Sequence, residues 1–213
     1  PSAMHTFAQA LFGLLFLALP AIGHAIEEPS YEVVRKIDDV EVRQYAPYIV
    51  AEVQIEADAD EAGNLAFPIL AGYIFGKNKG KQEFAMTAPV TQAAAPVRLE
   101  MTAPVTQAAA SGTPGSHVVQ FVLPRGVTLQ TAPEPLDARV RLREMPAQQV
   151  AVIRYSGFWS DANYKEHLEK LRATLKAADL TPSGEPVFSR YNPPFTPWFM
   201  RRNEIWLALP SVR

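Results

Sequence analysis

The densest concentration of chemistry-bearing side chains is the run Tyr191-Asn-Pro-Pro-Phe-Thr-Pro-Trp-Phe-Met-Arg-Arg-Asn-Glu-Ile-Trp206. Proline fixes the backbone and aromatic rings bury much area at low entropic cost, so such a loop can form a preorganised wall of a binding site. Read more plainly, the same loop closes the core while its arginines pair with nearby acids. The adjacent Arg201 and Arg202 suit bidentate contact with carboxylates. Glu204 alternates with Ile205 along a strand, so one of the two faces inward. An inward Glu that stays unpaired has its pKa raised by burial and can act as an acid or a cation partner; the other outcome is pairing with an arginine.

Other reaction types find little support. The 213 residues include no cysteine, which excludes thiolate metal sites, Cys nucleophiles and covalent c-type heme attachment. There is no GxSxG elbow, no SxxK and no glycine-rich phosphate loop. No HExxH, no His pair at i, i+4 and no calcium-loop spacing occurs either, so neither an enzyme nor a metal site is expected. Beyond residue 25 the histidines are His117, which follows a Gly/Pro/Ser loop, and His167, which flanks the apolar face of a helix. Solvated-loop and helix-boundary roles are their default readings. The net charge of −2, with both signs interspersed, leaves no electrostatic footprint for nucleic acid.

The elements that must position these residues are legible from their periodicity. Tyr31–Lys36, Val40–Tyr45 and Ile49–Ile55 alternate as antiparallel strands, with a turn at Asp38-Asp39. Asp58 or Asp60 caps a helix reaching about Tyr73, with Ala62, Leu65, Ala66, Ile69, Leu70 and Tyr73 on one stripe. Pro68 inside it predicts a kink or two short pieces. Gly76 to Lys81 reads as an exposed turn. Met86 to Ala95 recurs as Met101 to Ala110, a local duplication that suggests a strand-turn-strand excursion with Pro89 and Pro104 at edge or bulge positions. Val118–Leu123, Val140–Arg143 and Val150–Tyr155 are further strands. Ser160 then caps a helix to about Ala178, buried through Tyr164, Leu168, Leu171 and Leu175, and Gly184–Tyr191 and Asn203–Leu209 close the set. Two successive strand-strand-helix-strand units predict a pseudo-two-fold α+β domain, its two helices packed on antiparallel sheet.

Residues 1–25 carry no Lys, Arg, Asp or Glu, and Ala10 to Ile22 is an almost unbroken apolar run. That length is short for a bilayer span and suits a secretory signal ending at Gly23-His24-Ala25. The expectation is a cleaved signal over 1–25, with Pro1-Ser2-Ala3 preceding a start at Met4. A single domain over 26–213 follows, exported to the periplasm or secreted. The absence of basic residues before the run argues the other way, towards an N-terminal helix. No later segment is long and apolar enough to be a transmembrane helix.

In combination, Tyr31-Glu-Val-Val-Arg35, Tyr73-Ile-Phe-Gly-Lys-Asn78, the two Met-Thr-Ala-Pro-Val stretches, Tyr191-Asn-Pro-Pro194 and Arg202-Asn-Glu-Ile-Trp206 resemble the SOUL heme-binding protein family over about residues 29–209. The resemblance implies a distorted antiparallel β-barrel with two main helices in a pseudo-two-fold arrangement, related to gyrase-inhibitor-like effector-binding domains. It implies non-covalent binding of heme or another porphyrin in an apolar pocket, as carrier or buffer. Phe67, Leu70, Ala71 and Ile74 would be its helix side, with Phe195 and Trp198 nearby. Some relatives carry a histidine, proposed to ligate iron, where Gln44 stands. The basic residues that some offer to the propionates match Asn64, Gly72 and Thr196, which leaves Arg201, Arg202, Lys77, Lys79 and Lys81 as substitutes. Burying about 300 Å² of apolar surface at ~25 cal/mol per Å² yields ~7 kcal/mol before association costs, so micromolar binding needs no iron ligand. The related effector-binding domains suggest a second reading. In them an aromatic pocket and an inward Glu, here Glu204, hold and sometimes hydrolyse small electrophilic or cationic molecules. A protein-interaction module without a small ligand is a third.

Overall fold

The computed structural model describes residues 27–80, 98–99 and 101–210. The expected signal segment and the first copy of the repeat lie outside them. Eleven strands and two α-helices follow in order: β1 Tyr31–Ile37, β2 Val40–Tyr45, β3 Tyr48–Glu56, α1 Ala59–Ile74, β4 Asn78–Lys79, β5 Val105–Ala109, β6 Ser116–Val122, β7 Glu134–Pro135, β8 Arg141–Met145, β9 Gln148–Tyr155, α2 Asp161–Ala177, β10 Ser183–Arg190 and β11 Asn203–Leu209.

Nine strands form one curled antiparallel sheet in the order β1-β2-β9-β11-β10-β5-β6-β3-β8, while β4 and β7 pair separately. From β2 to β8 the order is a palindrome. Exchanging β2 with β8, β9 with β3, β11 with β6 and β10 with β5 reproduces it, which is the pseudo-two-fold arrangement expected from the repeated element order. The axis falls between β10 and β5, which pair through Phe188–Gln107, Ser189–Thr106 and Arg190–Val105.

Each half has its own helix and core. On one, Ala66, Leu70, Ala71, Tyr73 and Ile74 of α1 pack with Ala51 and Val53 of β3 and with Val119 and Phe121 of β6. On the other, Leu168, Leu171 and Leu175 of α2 pack with Val40, Val42, Ala151, Ile153, Ile205 and Leu207. Period-two alternation sends the intervening residues to the opposite face, where Tyr45, Val150, Val152, Tyr191 and Trp206 form a third cluster. Ser160 Oγ accepts from the Asn163 N–H and starts α2 as a side-chain cap.

Three local details refine what the sequence predicts. α1 is one continuous helix through Pro68, which excludes the two-piece alternative and leaves the kinked one. Pro68 and Asn64 are both exposed, so the carbonyl that loses its donor is open to water. The expected exposed turn at Gly76 to Lys81 instead contains the buried Asn78, whose amide donates to the Tyr73 carbonyl at the end of α1. Finally, the second copy of the repeat supplies β5 immediately after Pro104, and β5 lies in mid-sheet, between β10 and β6.

Candidate functional site: a recess at the seam

α1 packs chiefly on β3 and β6, and α2 on β9 and β11. The central strands β5 and β10 are left between them, and there the helix-side face of the sheet opens into a recess of about 490 Å³. That size lies within the ~300–1,000 Å³ typical of small-molecule sites. Val105, Gln107, Val119, Phe188 and Arg190 form its floor; Gly63, Asn64 and Phe67 of α1 form one wall, and Trp159, Pro193 and Pro194 the other. Gly63 lets the helix come close, because a Cβ there would stand 3.1 Å from Gln107 Oε1 and 3.2 Å from Arg190 Nη1. An adjoining hollow of about 280 Å³ shares Gln107, Trp159, Phe188 and Arg190 and carries Asp60, Asp161 and Glu185 at its rim.

Arg190 is the charged centre of this seam. Its guanidinium carbon lies 4.8 Å from the ring centroids of both Trp159 and Phe188. Its Nε is buried without a hydrogen-bond partner, and no ion pair to it forms among the described residues. Burial pulls its pKa below the usual arginine value, against the weaker opposing influence of Tyr155 and Asp60. Trp159 is held by its indole N–H, which donates to Asn203 Oδ1 at 2.8 Å. Arg201 lies over its ring at 4.3 Å.

Of the helix residues expected at the site, Phe67 lines the recess, 45% exposed and 5.4 Å from the Phe121 ring. Leu70, Ala71 and Ile74 share its helical stripe but are buried in the α1 core and do not line the recess. The difference runs along the helix axis: the first turns of α1 border the recess, and later turns are sealed by Leu123, Ala132 and Val140. Phe195, 86% exposed, and Trp198, stacked on Phe158 at 5.2 Å, lie outside the lining. Arg201 donates to the Thr196 carbonyl at 2.8 Å and the Pro194 carbonyl at 2.7 Å, so it ties down the proline loop that forms the wall.

Glu204 is fully buried on the sheet face of the third cluster. Arg43 donates to it at 2.9 and 3.1 Å, Arg202 Nε at 3.0 Å, Tyr191 Oη at 2.8 Å and Trp206 Nε1 at 2.9 Å. Burial pushes the carboxyl up, but the two arginines outweigh it and hold the pKa below the ordinary value. Both oxygens are fully engaged, so the arrangement is a buried ion-pair network with no lone pair facing a ligand. Arg202 is committed to it and to Glu28, and Lys79 pairs with Glu134. Gln44 donates to the Tyr45 carbonyl; His167 stacks on Tyr155 at 4.0 Å; His117 contacts the Ala57 carbonyl at the edge of the smaller hollow. None of the three lines the main recess.

Sequence reading missed Trp159, Gln107, Phe188 and Arg190. The one signal pointing to the last two was the alternation in Phe188-Ser-Arg190, which puts both on one strand face.

The sequence profile described as SOUL heme-binding protein matches residues 26–208. The chain belongs to the SOUL heme-binding protein family. Within that family it is 29% identical to mouse (Mus musculus) heme-binding protein 1 over 151 residues, covering 70% of this chain and 72% of that protein. It is 28% identical to mouse heme-binding protein 2 over 198 residues, covering 88% and 90% respectively. Among solved structures, the EcmrR C-terminal domain superposes with a TM-score of 0.57 at 12% identity, over 85% of this chain and 99% of that one. That likeness concerns the fold alone.

Proposed function

We propose that this SOUL protein binds heme or a related tetrapyrrole non-covalently in the seam recess and acts as a carrier or buffer for it. The observation that carries this reading is the recess itself, an open, mostly apolar slot between Phe67, the Val105–Phe188 floor and the Pro193-Pro194 wall. A porphyrin is a flat apolar disc with carboxylates at one edge, and the residues present fit both parts. The apolar lining takes the ring system, and a guanidinium with an unfilled Nε stands at one side. When bound, the macrocycle brings a metal centre or a chromophore; the chain's own residues orient it and exclude water. Of the side chains lining the recess, Met101 offers a thioether, while the histidines lie elsewhere, which supports binding driven by burial of the ring.

The test is a parallel titration of hemin and metal-free protoporphyrin IX, followed by the Soret band and by tryptophan fluorescence. Both should bind with micromolar dissociation constants within about threefold of each other, and Trp159→Phe should remove most of the quenching. No spectral change with either porphyrin would overturn the proposal. The apolar run Ala10 to Ile22 supports placing this activity outside the cytoplasm, in the periplasm or the medium.

A further inference from the structure

Arg43, Arg202 and Arg190 all reach into the interior, and the first two have acids. Arg43 pairs with Glu204 and Glu41, and Arg202 with Glu204 and Glu28. Arg190, the third, has two aromatic faces instead of a carboxylate, a buried Nε without an acceptor, and a position on the wall between the recess and the smaller hollow. Keeping a guanidinium partly desolvated without a counter-ion costs free energy that a planar, bidentate acceptor would return. The Trp159 and Phe188 rings both pack against the guanidinium, and Gly63 keeps the space beside Nη1 free of a side chain. The acids on the neighbouring elements are Asp60, Asp161 and Glu185, which line the smaller hollow; Asp60 attracts Arg190 from there without forming an ion pair. They would repel a second anion and so confine a ligand carboxylate to the recess side.

We propose that Arg190 receives a carboxylate of the bound ligand, so that a tetrapyrrole enters the recess with a propionate edge turned inward to the seam. This rests on the tetrapyrrole reading above and adds orientation and selectivity to it. Ligands carrying a free carboxylate on an apolar ring system are preferred, and esterified ones are not.

The experiment compares protoporphyrin IX with its dimethyl ester on the full chain and on Arg190→Gln and Arg190→Lys, with tryptophan quenching as readout. The wild type should bind the free acid about tenfold more tightly than the ester, the scale of one charge-assisted hydrogen-bond pair. Arg190→Gln should lose about tenfold for the free acid and stay within about twofold for the ester, which also reports that the recess is intact. Arg190→Lys should recover part of the loss. If Arg190→Gln weakens both ligands equally, or leaves the preference for the free acid in place, the orientation is wrong while tetrapyrrole binding stands. If the wild type binds neither ligand, both readings fall.

Discussion

Phe67 and Leu70 lie one turn apart on the same face of α1, and substituting each with alanine separates a site residue from a core residue. Phe67 is 45% exposed at the recess wall. Complete burial of a phenylalanine is worth about 1.5–3 kcal/mol, so covering the remaining half with a ligand contributes about 1 kcal/mol, or about fivefold in affinity. Phe67→Ala should therefore weaken protoporphyrin IX binding about fivefold. Phe67→Asp, which also sets a carboxylate against those of the ligand, should weaken it more than tenfold. Leu70 is fully buried among Tyr73, Val119 and Phe121. Leu70→Ala should cost about 2–5 kcal/mol of stability and change affinity less than about twofold once only folded protein is counted. Fluorescence titration at a temperature where both variants are folded, paired with thermal melts, gives the two quantities. If Phe67→Ala binds as the wild type does, or if Leu70→Ala loses as much affinity as Phe67→Ala, the recess is misplaced.

Two other outcomes can be checked directly. Glu204→Gln leaves the buried Arg43 and Arg202 without their common counter-ion, and should cost about 3–5 kcal/mol, seen as a melting temperature lower by about 10 °C. Because the folded Glu204 titrates below its ordinary 4.5, its contribution is present above pH 4.5 and is lost as pH falls through the folded value. Urea midpoints should drop in that acid range for the wild type and drop less for Glu204→Gln; identical pH profiles would count against the network. For export, intact-mass analysis of protein secreted by a bacterial host should give a chain beginning at Ile26, and an uncleaved chain retained in the cytoplasm would refute it.

The architecture was largely written in local pattern. Alternation at Val40–Tyr45 and Val150–Tyr155, the Ser160 cap and the leucines of α2 each correspond to an element observed, because each depends on neighbours within one strand or a few helical turns. The site was less legible for two reasons. Helical periodicity assigns a face but not a position along the axis, so Phe67 could not be told from Leu70, Ala71 and Ile74. Arg190 stands out only because no ion pair to it forms among the described residues, a property of distant chain segments that no spacing records. The aromatic loop drew attention by its composition. Its largest side chains, Phe195 and Trp198, lie outside the recess, and its contribution there comes from Pro193 and Pro194, anchored by Arg201.

The palindromic strand order also governs how the molecule can come apart. β2 belongs by sequence to the first half yet bonds to β9 of the second, and β8 of the second half bonds to β3 of the first. Each repeat thus lends its partner a strand, as two hands clasp by interlocked fingers. Neither half is a closed unit, so division between β6 and β8 would expose unpaired edges on both fragments. A ligand lodged over β5 and β10 would add a further tie across the axis, and loading should slow unfolding of the whole domain rather than of one lobe.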